Sequence, residues 1–227
     1  MLKADFHLHT KEDPRDTWIK YNAKELIDRA EKLGFDVLAI TNHWNVCYNK
    51  RLADYAKKKN ILLIPGTEAR IEGKDVVILN AANDAAKIKK FSELRDFKKK
   101  NPESFIMAPH PFYVTSICLG KKLFKYSDIF DGVEYCHCYL SFFNRFNKKA
   151  VKSARKYNKV LIGTSDMHQT FQLNKTYSLV DADKNTNSVI KALKNGKVEI
   201  KTKPLSISNW INIFFPMFKR GIKRYLF

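Results

Sequence analysis

Short runs of aliphatic and β-branched residues alternate along the chain with stretches whose apolar positions recur every three to four residues. The apolar runs predict strands over residues 2–6, 37–40, 61–64, 76–79, 105–107, 132–135, 160–162 and 176–180. The amphipathic stretches predict helices over residues 23–33, 51–59, 92–99, 147–157 and 186–193. Asn22 is placed to cap the first helix and Gly34 to stop it. A short side-chain oxygen accepts from the opening backbone N–H groups, and glycine tolerates the left-handed turn that ends a helix. Strands that are apolar throughout, separated by helices, predict an α/β fold with a largely parallel sheet covered on both faces. An open doubly wound sheet and a closed barrel both satisfy this pattern.

Nothing interrupts the pattern before residue 204, so residues 1–204 read as one domain. Residues 205–227 are different in character: aromatic, apolar and basic, a C-terminal arm. Such a segment either packs its rings on the domain or lies against an anionic membrane surface, where aromatics and lysines suit the headgroup layer. No apolar run reaches the roughly 18–20 residues of a spanning helix, and the first residues lack an apolar signal region. The cysteines, Cys47, Cys118, Cys136 and Cys138, are few and unevenly spaced for a disulfide framework. A cytoplasmic protein with reduced thiols is expected, with peripheral membrane contact through the arm as the variant reading. Lys and Arg number 42 against 23 Asp and Glu, a net charge of +19. That surplus favours anionic partners, whether nucleotide, nucleic acid or acidic lipid, without choosing among them.

The histidines change the picture. All six, His7, His9, His43, His110, His137 and His168, fall in or beside the carboxyl end of an expected strand. His7 and His9 sit at alternate positions of an extended segment, so both imidazoles can reach one metal ion. Asp166 and His168 repeat that spacing, and Glu68 follows the third strand. The carboxyl ends of parallel strands converge on one face, where α/β active sites form. A single buried histidine is usually structural, but this many at strand ends point to a shared metal site.

These residues resemble the PHP (polymerase and histidinol phosphatase) family. The opening His7-Leu8-His9-Thr10 looks like its first motif and Ala39-Ile40-Thr41-Asn42-His43 like its second. Ile64-Pro65-Gly66-Thr67-Glu68 resembles the third, His110 the fourth, and Gly163-Thr164-Ser165-Asp166-Met167-His168 the last. The likeness runs in unbroken order over roughly residues 3–200. It implies a distorted (β/α)7 barrel with two or three divalent ions (zinc, manganese or iron) at the carboxyl ends of the strands. By position, His7, His9, Glu68 and Asp166 would hold one ion, and Glu68 would bridge to a second held by His110 and His137. His43, His168 and an early acidic residue would hold the third; Asp16 best fits the spacing, with Asp13 as the alternative. A thiolate of Cys136 or Cys138 could replace His137. Asn42 stands where the family often has Asp, a lost charge behind a ligand.

The resemblance implies a phosphoesterase in which metals lower the pKa of a water that attacks phosphorus. The substrate would be a small phosphate ester, a nucleotide or a short oligonucleotide. His168 is the candidate proton donor to the leaving group, Arg70 or Arg145 the candidate phosphate clamp, and residues 112–130 the expected pocket wall. Another metal-dependent hydrolase of amidohydrolase type, or a non-catalytic basic binding protein, are the competing readings.

Overall fold

The computed structural model describes residues 1–219. In chain order the elements are β1 (Leu2–Leu8), α1 (Ala23–Lys32), β2 (Val37–Ile40), α2 (Lys50–Lys58), β3 (Leu62–Ile71) and β4 (Lys74–Leu79). These are followed by α3 (Phe91–Lys100), β5 (Phe105–Ala108), α4 (Lys122–Lys125), β6 (Gly132–Cys136), α5 (Arg145–Lys156) and β7 (Val160–Thr164). The last are β8 (Thr176–Val180), α6 (Thr186–Lys194), β9 (Val198–Thr202) and α7 (Ile207–Lys219). The expected start of α1 is realised as a capping box: Asn22 Oδ1 accepts from Glu25 N, and Glu25 accepts from Asn22 N. Gly34 follows the helix at φ +71°, as a left-handed stop requires.

All nine strands belong to one sheet in the order β7-β6-β5-β4-β3-β2-β1-β8-β9, curled into a nearly closed barrel. The expectation of a largely parallel sheet needs correction. β4 runs antiparallel to both β3 and β5, and β8 runs antiparallel to β1 and β9. No helix separates β3 from β4; Gly73 at φ +77° lets the chain reverse in a tight hairpin. Pairing with β4 also prolongs β3 to Ile71, so Glu68 lies within a ladder, opposite Val77, and not in a loop beyond the strand.

The apolar strand residues sort into one interior and two outer cores. Phe6, Ala39, Ile64, Val77, Met107 and Ile162 face the barrel interior, where Val189, Ile190 and Leu193 of α6 join them. Lys194 of α6 reaches the Pro102 carbonyl just before β5, so this helix closes the amino-terminal mouth. Each such aliphatic side chain, fully withdrawn from water, contributes roughly 1.5–3 kcal/mol. Outward, Leu38, Ile40 and Leu63 pack on α1 and α2, while Val76, Ile78, Ile106 and Val133 pack on α3, α4 and α5.

The barrel closes between β7 and the β1/β8 pair without a regular ladder. Ser178 Oγ accepts from Gly163 N at 3.1 Å and donates to Gly163 O at 2.9 Å. A Cβ at Gly163 would stand 2.7 Å from Ile200 Cγ2 and 3.0 Å from Tyr177 O, so this approach needs glycine. Above it, a single parallel bridge joins Leu8 to Met167. Leu205 is buried and its N–H donates to Tyr139 O at 2.9 Å, which anchors the chain before α7. Of the arm expected at residues 205–227, residues 220–227 lie outside those described. No helix among the described residues is long and apolar enough to cross a membrane.

Candidate metal centre

β1 aims its two histidines inward by a break in its own pleat. Between Asp5 and Leu8 the register against β2 slips, three residues of β1 matching two of β2. Phe6 therefore faces the interior, while Leu8 joins the outer core with α1 and α2. His7 and His9, fully buried, turn together into the barrel mouth. Bulges of this kind re-aim side chains beside active sites. Glu68 is in phase with inward-facing Ile64 on β3, and the loop after β2 brings His43 alongside, bridging to Glu68.

Four groups of donor atoms result, each with its atoms within 4.8 Å of one another: His7, His9 and Asp166; His7, Glu68 and His110; His9, His43 and Glu68; and Asp13, Asp16 and His43. Glu68 Oε2 lies 3.5 Å from Nε2 of both His7 and His9 and 2.9 Å from Nε2 of His43. His110 Nε2 lies 3.3 Å from Glu68 Oε1. Asp166 Oδ1 lies 3.4 Å from His7 Nε2 and 3.5 Å from His9 Nε2. The inward Nε2 atoms of His7 and His9 are buried with no hydrogen-bond partner. Lone pairs withdrawn from water and converging with two carboxylates are the donor set of a divalent cation.

The far side of each imidazole is held. His7 Nδ1 donates to Glu134 Oε1 at 2.7 Å, and Glu134 also accepts from the Thr164 hydroxyl and the His110 backbone N–H. Asp13 Oδ2 accepts from His9 Nδ1 at 2.8 Å and His43 Nδ1 at 2.9 Å, and Oδ1 accepts from the N–H groups of Arg15 and Asp16. Carboxylates behind histidines fix the tautomer and raise ligand basicity. Sequence reasoning passed over Glu134; its signal was a lone acid inside the apolar strand β6, in phase with the inward face. His110 Nδ1 meets Cys118 Sγ at 3.4 Å, a contact the sequence did not suggest.

The remaining expected residues lie around this cluster. Asp16 Oδ2 is 3.2 Å from His168 Nε2 and 3.6 Å from His43 Nδ1. Trp18 stacks on the His168 ring at 5.8 Å. His137 stands outside the four groups: its Nε2 accepts from Gln172 Nε2 at 2.8 Å, an amide oriented by the N–H groups of His168 and Gln169 on its oxygen. Cys136 Sγ is 3.7 Å from His137 Nδ1, and neither Cys136 nor Cys138 joins a group. Asn42 accepts from Thr10 N and donates to the Thr10 hydroxyl, both at 2.9 Å, so it ties the first two strand ends together. Arg70 sits at the rim, whereas Arg145 is exposed and covers the Phe146 ring. Of residues 112–130, Phe112, Leu119, Leu123, Ile129 and Phe130 pack in the outer core, and the turn around Cys118 reaches the site.

Coupled charges and two left-handed backbone positions meet here. Burial works against charge on Glu68, but His43 and His7 outweigh it and hold the carboxyl well below its usual range. Burial likewise opposes charge on His43, but Glu68 and Asp13 push its pKa up to about 10. His137 goes the other way, lowered to about 4 chiefly by burial. His110 at φ +28° and Asp166 at φ +44° hold left-handed backbone that non-glycine residues avoid. Such positions cost on the order of 1–3 kcal/mol and cluster at functional sites.

Residues 5–169 match the family model of the PHP domain. In fold, the chain is similar to a two-domain protein from Bacteroides vulgatus ATCC 8482 described as containing a predicted PHP-like metal-dependent phosphoesterase. The TM-score is 0.70 at 22% identity, over 95% of this chain and 69% of that one. PsfC from Pseudomonas syringae PB-5123 is similar at TM-score 0.64 and 12% identity, over 97% and 98% of the two chains. An amidohydrolase from Chromobacterium violaceum, with bound sulfate and no metal, is similar at TM-score 0.53 and 14% identity, over 73% and 87%. Among curated proteins no relative matches the chain.

Proposed function

The chain belongs to the PHP domain family, and on that premise we propose that it is a metal-dependent phosphoesterase acting on a small phosphate ester, nucleotide or short oligonucleotide. The supporting observation is the pair of buried, unpartnered Nε2 atoms of His7 and His9, facing Glu68 and Asp166 and fixed from behind by Glu134 and Asp13. His7, His9, Glu68 and Asp166 would hold one ion, and Glu68 with His110 and His137 a second, the Gln172 amide turning away from His137. His43 and Asp16 would hold a third, while Asp13, already accepting from two imidazoles, orients them. Zinc, manganese or iron suits such a mixed set of imidazole and carboxylate donors.

Divalent ions bound there would supply Lewis acidity, lowering the pKa of water and neutralising charge on the phosphate oxygens. The water oxygen would bond to phosphorus as the ester P–O bond breaks, one water proton staying on the phosphate and the other passing to solvent. The leaving alkoxide would take a proton from a donor that solvent reloads. His168 is assigned that proton. Its Nδ1 lies 3.0 Å from the Asp166 carbonyl oxygen. Its Nε2 rests against Asp16, and metal ligation, also expected of His168, would occupy a nitrogen the proton needs.

A panel of phosphomonoesters and phosphodiesters against amides and lactones, with added Mn²⁺ or Zn²⁺, tests the reading. Phosphoester turnover is expected. Amide or lactone turnover alone would replace the reading with the amidohydrolase one, and salt-sensitive nucleic-acid binding without turnover would replace it with the binding protein. Contact of residues 205–227 with an anionic membrane is a separate proposal; vesicle binding that survives removal of residues 206–227 would end it.

A further inference from the structure

Two arginines share one buried carboxylate at the rim of the candidate metal centre. Arg70 stands two residues beyond Glu68 on the same face of β3, so it projects over the mouth of the site. Its Nε donates to Oδ1 of Asp75, its ladder partner across the β3–β4 hairpin. Asp75 is 1% exposed. The loop after β1 brings in Arg15 from the other side. Its Nη1 lies 2.6 Å from His43 Nε2 and 3.8 Å from Asp75 Oδ2. One carboxylate thus sets two guanidinium groups side by side, one of them touching a histidine of the metal cluster. Two atoms in this assembly, Arg70 Nη2 and Asp75 Oδ2, are buried and have no hydrogen-bond partner. A guanidinium N–H withdrawn from water without an acceptor is costly, and an anionic oxygen is its natural complement.

We propose that Arg15 and Arg70 recognise the dianionic phosphate of a phosphomonoester, with Asp75 as the residue that positions both; this rests on the phosphoesterase reading. The choice of monoester follows from counting oxygens. A monoester has three non-bridging oxygens, enough to face the carboxylate-and-histidine cluster and still present one to the arginines. An internal diester has two and carries a single negative charge, so it offers the guanidinium groups less.

The test is calorimetric binding of methyl phosphate and dimethyl phosphate to the metal-loaded protein, with metal content measured in parallel. Arg15→Ala should weaken methyl phosphate by about tenfold or more, the scale expected for a charge-assisted guanidinium–phosphate contact, and change dimethyl phosphate much less. Arg70→Lys keeps a cation on Asp75 and so protects the fold, but it loses the planar fork and should move the ratio the same way. Equal weakening of both ligands, an unchanged ratio, or a matching loss of metal would overturn the proposal. A wild-type protein that binds methyl phosphate through Arg15 yet turns over no phosphoester would remove the catalytic reading and leave the recognition site standing.

Discussion

Glu134 Oε1 lies 2.7 Å from Nδ1 of His7, and neither side chain is exposed. That contact fixes the proton on Nδ1 and turns the Nε2 lone pair toward Glu68 and Asp166. Glu134→Gln keeps the shape but removes the charge and one acceptor, while three donors still point at the position. Metal affinity should fall by about 10–100-fold, the usual cost of losing a carboxylate behind a ligand. Competition with a chelator of known affinity measures it, and an unchanged constant would show that Glu134 does not tune His7.

Glu68 contacts His7, His9, His43 and His110. Glu68→Gln and His9→Ala should each reduce turnover by more than about 100-fold and lower bound metal, with the circular dichroism spectrum retained. Elemental analysis alongside a phosphoester assay decides it; activity retained in both variants would break the assignment.

Asp13 and Asp16 are close in sequence but differ in what they touch. Asp13 accepts from both His9 and His43, and Asp16 faces His168 and His43. Asp16→Ala should remove one ion from the complement and leave the rest bound. Asp13→Ala should loosen the ions held through His9 and His43, by about 10–100-fold in affinity. Identical metal counts and affinities in the two variants would show that this division of labour is wrong.

The chelator-treated protein should lose stability as pH rises. The folded pKa of His43, about 10, lies above its ordinary 6.5, so the folded chain binds that proton more tightly than the unfolded chain. The resulting stability is complete below 6.5 and is lost as pH climbs toward 10. Asp5 acts in the same sense: burial raises its pKa from 3.8 to about 7, and folding must then work against its ionisation. Asp13 and Asp16 oppose this trend at the acid end. Burial resists their charge, but their histidine partners hold both below the ordinary range, so their contribution is lost as pH falls below 3.8. The melting temperature should therefore peak at mildly acidic pH and decline from about pH 6.5 to 10. Added metal competes with the same protons and should flatten that decline. A melting temperature that rises from pH 6.5 to 9 in the presence of chelator would contradict the account.

Local signals carried much of this from the sequence. Asn22 and Gly34 mark the ends of α1 because caps are written in adjacent residues, and the spacing of His7 and His9 is itself a statement about one face of a strand. The antiparallel course of β4 was not legible, since an apolar run such as Val76–Leu79 reads the same in either direction. Nor was the bulge in β1, which exists only as a mismatch with β2. Glu134 escaped for a related reason: its importance lies in the His7 imidazole, contributed by a strand far away in the chain. The Gln172 amide on His137 likewise depends on a turn whose geometry no short motif announces.

The join between Gly163 and Ser178 has a consequence for the whole molecule. His7 and His9 stand on one bank of that gap and Asp166 and His168 on the other, with little backbone pairing between them. Any cation gripped by His7 and His9 from one bank and Asp166 from the other would act as a clasp on the barrel. Hydrogen exchange near Leu8 and Met167 should accordingly slow when ions are added, well before distant helices respond.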